Sequence, residues 1–338
     1  MPQTRAKDGA RALDAFLSNQ SVDQPPSARF AGLVREGLGD FPLPGGGRTA
    51  GRFEQLRTVG RHDLSLARLA EGHADAIAIL AEARMAPPRG ARLGVWAAGP
   101  IGDLRASRES GRWRLDGRRR WCSGAPVLTH ALVRAESDDG DRLFLVALHA
   151  SGAEPVEGTW PAVGMAGSQT LDVSFDAVEV DAEVGDAGFY LLRRGFWIGA
   201  VGVAAVWLGG TEAVAETLAR RAGADPHRLA HLGAVTARLF ALDSLMARAA
   251  CLIDTTTDPA SWERLARIVR AETEAGAAEV LDRTGRATGA DPLAHDAEHA
   301  QRVADLTVYL RQSHAEADLE ALGRIEAERR MAERPGPT

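Results

Sequence analysis

Lysine is all but missing from this chain. Its 338 residues contain one, Lys7, against 39 arginines. Acids still outnumber bases and the formal net charge is −6, which argues against broad binding to nucleic acid or to an anionic membrane. Cysteine is nearly as scarce. Cys122 and Cys251 cannot form a disulfide framework, and their spacing is not that of metal ligands. The first residues, Met1-Pro2-Gln3-Thr4-Arg5, lack an apolar signal region, so a cytoplasmic protein is expected. The longest uncharged run, residues 195–211, is 17 residues long, short of the roughly 20 that span a bilayer. It carries Gly195, Gly199, Gly202, Gly209 and Gly210 and reads as a buried helix with close backbone neighbours rather than a membrane span. No internal repeat or low-complexity segment is present.

What is there suits a packed enzyme-sized protein. Apolar residues make up 45% of the chain, enough for a real core, and the length allows two or three packed units. Residues 1–90 read as helical. A short periodic segment covers 11–17, and Pro25-Pro26-Ser27 opens a helix through Leu38. Residues 41–47 form a proline- and glycine-rich loop. Leu64, Leu66, Leu69, Ile77 and Leu80 then recur at helical spacing.

Pro87-Pro88-Arg89-Gly90 marks a boundary, and residues 91–185 read as strands. Trp113 and Leu115 alternate with Arg112, Arg114 and Asp116, and Asp116-Gly117 is a two-residue hairpin signal. Further strands are expected from Leu132, over 143–148 and over 170–180. From residue 186 the character is helical again. One helix covers 188–218 and a second starts at Pro226. A third starts at Asp258-Pro259 and ends before a loop over 285–292. A fourth carries the stripe Val303, Leu306, Leu310, His314, Leu319 and Leu322. Four long antiparallel helices make a bundle.

Two segments carry a family resemblance. The first is Gly111, Trp113, Asp116-Gly117, a basic run, then Trp121-Cys122-Ser123-Gly124-Ala125. The second is Gly164-Met165-Ala166-Gly167-Ser168-Gln169-Thr170, followed by Val173-Ser174-Phe175-Asp176. Their order and spacing resemble the middle β-domain of the acyl-CoA dehydrogenase superfamily. The resemblance runs from residue 61 to about 323. It implies an α+β protein with an N-terminal α-helical domain (1–90), a middle β-barrel or sandwich domain (91–185) and a C-terminal four-helix bundle (186–338). The N-terminal domain is shorter than is typical.

The implied cofactor is FAD. A flavin needs a flat apolar wall and a hydrogen-bond donor near N5. A Trp and a Ser two residues apart on an extended strand face the same side. Spacing alone favours a core Trp and a turn Ser; with the second segment, Trp121 as wall and Ser123 as donor is the better reading. The resemblance also places Trp96, within Leu93 to Asp103, at the family's first flavin-contacting segment. It offers Arg220 or Arg221 as a contact to flavin across a dimer.

The implied reaction is oxidation of a CH–CH group in an acyl-CoA or acyl-carrier thioester, with electrons passed to an electron-transfer flavoprotein, in a homodimer or homotetramer. That chemistry needs a carboxylate base. No acid lies between Asp186 and Glu212, which leaves the loop before the last helix. Asp291, Asp296 and Glu298 are the candidates there, and each also reads as a solvated or capping residue. The first alternative is a flavin-dependent monooxygenase or oxidase on the same fold, with His314 similar to that branch's last-helix histidine. The second is a non-catalytic relative kept as a scaffold. His295 and His299 have i, i+4 spacing but no third ligand, so no metal is expected.

Overall fold

Residues 2–21, 23–99, 102–149 and 152–333 are described by the computed structural model of the chain. Four helices come first: α1 (Pro2–Ser18), α2 (Pro26–Arg35), α3 (Thr49–His62) and α4 (Leu64–Glu82). Pro26 starts α2 where its missing N–H costs no helical hydrogen bond. A single residue, Asp63, separates α3 from α4. Its carboxylate accepts from the Leu66 N–H at 2.9 Å, which caps α4.

Eight strands follow: β1 (Leu93–Trp96), β2 (Leu104–Glu109), β3 (Arg112–Cys122), β4 (His130–Ser137), β5 (Gly140–Ala147), β6 (Ala153–Val156), β7 (Leu171–Glu179) and β8 (Ala182–Glu183). They form one sheet in the order β6-β7-β3-β2-β4-β5-β8, with β1 running parallel to β4. Seven helices complete the chain: α5 (Phe189–Leu192), α6 (Gly195–Arg221), α7 (Pro226–Thr255), α8 (Pro259–Thr288), α9 (Asp291–His295), α10 (Ala297–Leu310) and α11 (Glu316–Ala332). Asp225, Asp258 and Asp296 cap α7, α8 and α10.

Three local expectations are overturned. Asp116-Gly117 is not a hairpin turn. The chain reverses earlier, at Ser110 (φ 49°) and Gly111 (φ 82°), and β3 continues through Asp116. Gly117 has φ 122° and sits at a register shift against β7. A Cβ there would lie 2.3 Å from the Asp103 carbonyl oxygen. A bulge and a tight turn ask for the same residue at positive φ, so the signal is shared. Secondly, residues 285–292 are not one loop: α8 runs to Thr288 and α9 begins at Asp291. Thirdly, the last apolar stripe is split. α10 ends at Leu310, Ala315 takes φ 46°, and α11 starts at Glu316, so His314 lies in a connection and not on a helix stripe.

The core is built on α6, which packs against α3, α4, α7, α8 and α10. Its crossing with α3 is backbone on backbone. A Cβ added at Gly60 would sit 2.4 Å from the Val206 carbonyl oxygen, and one at Gly209 would sit 2.1 Å from that of Arg57. At the same crossing Arg57 pairs with Glu212 and Asp243. By length and composition α6 and α7 both pass for membrane spans, but 89% of the apolar window of α6 is buried inside the protein. The corresponding window of α7 is 17% buried, and Phe240 on its outer face is 73% exposed.

The crossing makes opposite predictions for two helical glycines. Gly209→Ala must push the α3 backbone away and is expected to cost about 1–3 kcal/mol. Gly233→Ala on α7 meets open space and is expected to stabilise by roughly 0.5–1 kcal/mol through helix propensity. Thermal unfolding midpoints of the two variants, read against the parent, check both signs.

Candidate functional site

The end of β3 is irregular where the sequence signal is strongest. A register shift against β7 falls between Arg119 and Cys122, and Trp121 adopts φ 59°. That left-handed backbone turns the indole outward, and Trp121 is 50% exposed. The indole therefore does not point into solid core. It rests on Gly99, where a Cβ would lie 3.0 Å from the ring. Arg119 and Cys122 on either side are buried. The Arg119 guanidinium donates to the Ala98 carbonyl at 2.6 Å, which ties β3 to the segment leading into β2. Burial lowers the Arg119 pKa and raises that of the Cys122 thiol.

Ser123 does not share Trp121's exposure, because the bulge breaks the alternation on which a shared face depended. Its hydroxyl turns inward. Arg68 Nε donates to it at 3.1 Å, and Thr170 Oγ1 donates to it at 3.0 Å. The chain of hydroxyls continues from Thr170 to Ser168 at 2.8 Å, and Ser168 reaches the Met165 carbonyl at 2.7 Å. Ser123 Oγ accepts both bonds, so its own proton stays available to an outside acceptor. The loop carrying Met165 and Ser168 is pressed onto α10. A Cβ at Gly164 would meet the Ala304 carbonyl oxygen at 2.3 Å.

Behind Ser123 lies a charged group on α4, with Glu71 buried and Arg68 and Asp75 half-buried. Arg68, Glu71 and Asp75 stand at i, i+3 and i+7, one face of a helix. Arg68 Nη1 pairs with Glu71, and Tyr309 of α10 donates to the same carboxylate oxygen at 3.4 Å. Asp75 is held by Arg52 at 2.5 Å. Burial pushes the Glu71 carboxyl up to about 7, with Arg68 opposing and Asp75 adding to the rise. Burial also raises the Tyr309 phenol. For Arg68 burial works against the charge, but Glu71 and Tyr309 outweigh it and hold the guanidinium charged. A cavity of about 10 Å³, lined by Arg68, Gly72, Gly94 and Ser123 among others, is the size of one water.

The other residues singled out from sequence lie elsewhere. Trp96 is buried and donates its indole N–H to the Ser123 carbonyl at 3.0 Å; it anchors the loop and offers no exposed face. Asp291 is exposed and paired with Arg221 and His295, which hold its carboxyl below the usual range. Asp296 caps α10 by accepting from the His299 N–H. Glu298 pairs with Arg302 at 2.6 Å. The His314 side chain is 78% exposed, 3.7 Å from Asp318. Arg220 is turned to Thr217 and Glu216. His295 is exposed while His299 is buried, so the pair does not converge. The segment around Trp96 also includes Pro100 and Ile101, which fall outside the described residues.

Arg68 and Glu71 lie in the stretch that carries the family resemblance, which begins at residue 61, but were given no role of their own, and Tyr309 was not singled out. The available signal was three charges on one face of a helix that is otherwise leucine and alanine. Such charges must be paired inside a core.

Against this geometry the comparisons can be placed. No family model matches the chain. Over 132 residues it is 33% identical to the amino sugar nitrososynthase RubN8 of Streptomyces rubradiris, a match covering 35% of this chain and 31% of that protein. The match therefore spans about a third of that relative's length. TdsC from Paenibacillus sp. A11-2, a dibenzothiophene monooxygenase solved with FMN and indole, superposes with a TM-score of 0.82 at 19% identity, covering 99% of both chains. KijD3, solved with FMN and dTDP-3-amino-2,3,6-trideoxy-4-keto-3-methyl-D-glucose, superposes with a TM-score of 0.76 at 20% identity, covering 99% of this chain and 94% of that one.

One prediction comes from His73, which follows Glu71 on α4. Its Nδ1 accepts from the Leu93 N–H at 3.2 Å, its ring meets Phe30 edge-on, and burial pushes it down to about 4 against the pull of Asp40. The unfolded chain therefore binds the extra proton first. The stability His73 contributes is present above its ordinary pKa of 6.5 and lost as pH falls towards 4, by roughly 3 kcal/mol at the limit. His73→Gln keeps an acceptor and should remove that slope. Urea midpoints of parent and variant between pH 7 and 4.5 should converge. The chain has the fold that these structures share, the acyl-CoA dehydrogenase-like fold expected from its sequence.

Proposed function

We propose that this chain is a flavin-dependent monooxygenase that works with reduced FMN and dioxygen and oxidises an amine nitrogen on a sugar nucleotide. The observation that carries the flavin part is the pairing at the end of β3: a half-exposed indole beside a hydroxyl that takes a hydrogen bond from a charged arginine. Trp121 would be the apolar wall. The Ser123 proton, which the bonds from Arg68 and Thr170 leave unused, would be the donor to an electron-rich ring edge. Arg68 supplies positive charge behind that donor, which suits a ring that becomes negative on reduction. When bound, the flavin supplies two electrons to dioxygen, one of whose oxygen atoms goes to substrate.

The choice between chemistries is supported by the relatives. RubN8 is an amino sugar nitrososynthase, KijD3 was solved with a dTDP-amino sugar and TdsC is a monooxygenase. FMN is the flavin in those structures, and the Arg220 contact expected for the larger FAD is turned to its own helix. Acyl-thioester dehydrogenation is the weaker reading, because the acids expected to serve as base are exposed and ion-paired. We extend the proposal to a homo-oligomer, supported by the unpartnered apolar face of α7 around Phe240.

Titration of the purified chain with FMN is expected to quench tryptophan fluorescence, and Trp121→Ala should weaken binding about tenfold, ~1.4 kcal/mol. With an NADH-driven flavin reductase supplying reduced FMN, a dTDP-amino sugar should stimulate oxygen uptake and yield a product heavier by oxygen. Anaerobic bleaching of bound flavin by an acyl-CoA would instead select the dehydrogenase. Failure to take up any flavin would select the scaffold reading.

A further inference from the structure

We propose that the cavity between α1, the α2–α3 connection and the first turns of α3 is a binding site for a small zwitterion, a free α-amino acid with an apolar side chain. The site shares no residue with the group around Trp121 and Ser123, and the inference does not rest on the flavin reading. The cavity measures about 240 Å³, a little below the roughly 300–1,000 Å³ of sites for drug-sized ligands. Its walls are fixed before anything binds. Arg52, wholly buried, donates to the Pro42 carbonyl at 3.1 Å and pairs with Asp75. At the other end of the loop Asp254 of α7 accepts from the Gly47 N–H at 3.1 Å, the Thr49 N–H at 3.0 Å and the Thr49 hydroxyl at 2.6 Å. A loop tied at both ends loses little freedom when a ligand settles on it.

The lining carries three features that one zwitterion would satisfy together. Asp40 and Arg48 line the cavity with opposite charges. Among the described residues neither is in an ion pair or hydrogen-bonded through its side chain. His73 feels the charge of Asp40 but does not neutralise it at neutral pH, because burial pushes the imidazole down to about 4. The third feature is Gln55, whose Oε1 is buried and accepts no hydrogen bond. A buried acceptor left empty is costly and calls for a donor. The Gln55 amide fits there because position 9 has no side chain: a Cβ on Gly9 would lie 2.8 Å from Nε2. Buried Phe41, with Pro42 and Leu43, supplies an apolar wall. A carboxylate for Arg48, an ammonium for Asp40 with one N–H left for Gln55, and an apolar side chain on the wall are the parts of an amino acid such as leucine. A simple anion would leave Asp40 and Gln55 unmet, and a simple amine would leave Arg48 unmet.

The test titrates the full chain near neutral pH by isothermal titration calorimetry with three probes: L-leucine, L-leucinamide, which lacks the carboxylate, and 4-methylpentanoate, which lacks the ammonium. Leucine should saturate with a Kd on the order of 1 mM. Each analogue should bind about tenfold more weakly, the loss of one charged hydrogen bond. Asp40→Asn should weaken leucine about tenfold without weakening 4-methylpentanoate, and Arg48→Gln should weaken leucine by a similar factor without weakening leucinamide. Both positions are exposed, and circular dichroism establishes that each variant is folded. If one variant does not fold, the other variant and the two analogues on the parent decide. Leucine that shows no saturable binding to the parent overturns the inference. So does an analogue that matches leucine on the parent, or leucine binding that neither substitution weakens. None of these outcomes bears on flavin uptake, which the FMN titration reads separately.

Discussion

Two glycines let the backbones of α3 and α6 touch, and the position of the candidate site follows from that contact. A side chain at Gly60 or Gly209 would meet a carbonyl oxygen at well under contact distance, so the spacing between these helices is not adjustable. α4 begins one residue after α3 ends, and Asp63 at the junction both caps α4 and pairs with Arg29 of α2 at 3.1 Å. The direction of α4 is thus inherited from α3. α10 packs on α6 and α4 in turn. The carboxyl of Glu71 is enclosed between Arg68 and Tyr309 because three helices have no freedom to separate.

The sheet meets this assembly at a strained point. A tryptophan at positive φ costs on the order of 1–3 kcal/mol and persists only where its surroundings over-determine it. Here they do. Arg119 is pinned to Ala98, Cys122 is buried, and the Ser123 carbonyl is held by the Trp96 indole. Trp121 is left to turn outward. The buried Arg68–Glu71 pair is expensive in the same sense, since two ions taken from water seldom repay their desolvation. Strain and a buried ion pair meet at one hydroxyl, Ser123. That coincidence sets the place apart from the many ion pairs on the helix surfaces, which contribute little.

Much of the architecture was legible in the sequence. The helix, strand, helix order, the helix starts at Pro226 and Asp258-Pro259, the buried run of α6 and the strand over β7 all follow from periodicity and end signals that act within a few residues. Trp121 and Ser123 were legible as a pair through the motif. What the sequence could not reveal depends on partners far away in the chain. Asp116-Gly117 reads as a turn until β2 and β7 are known to flank it. His314 reads as part of a stripe until Ala315 breaks the helix. Asp291 and Glu298 read as free carboxylates until Arg221 and Arg302 are in place. Arg68 and Glu71 read as two ordinary charges among many, because nothing local says that Ser123, 55 residues on from Arg68, and Tyr309, 238 residues on from Glu71, will enclose them.

The electrostatics of the enclosure also bear on the chemistry. Taking a proton from carbon next to a thioester demands a carboxylate that is free to receive it and close to the substrate. Glu71 is a buried carboxyl near neutrality, which is the right pKa for a base, but its charge is already spent on Arg68. It is also enclosed by Arg68 and Tyr309 behind Ser123, away from the exposed face of Trp121. The same arrangement suits the opposite demand. A ring that gains negative charge on reduction gains from a hydroxyl backed by an arginine. The geometry behind Ser123 is therefore better matched to managing charge on a reduced cofactor than to pulling a proton from a substrate. It leaves substrate chemistry to whatever the exposed side of Trp121 admits.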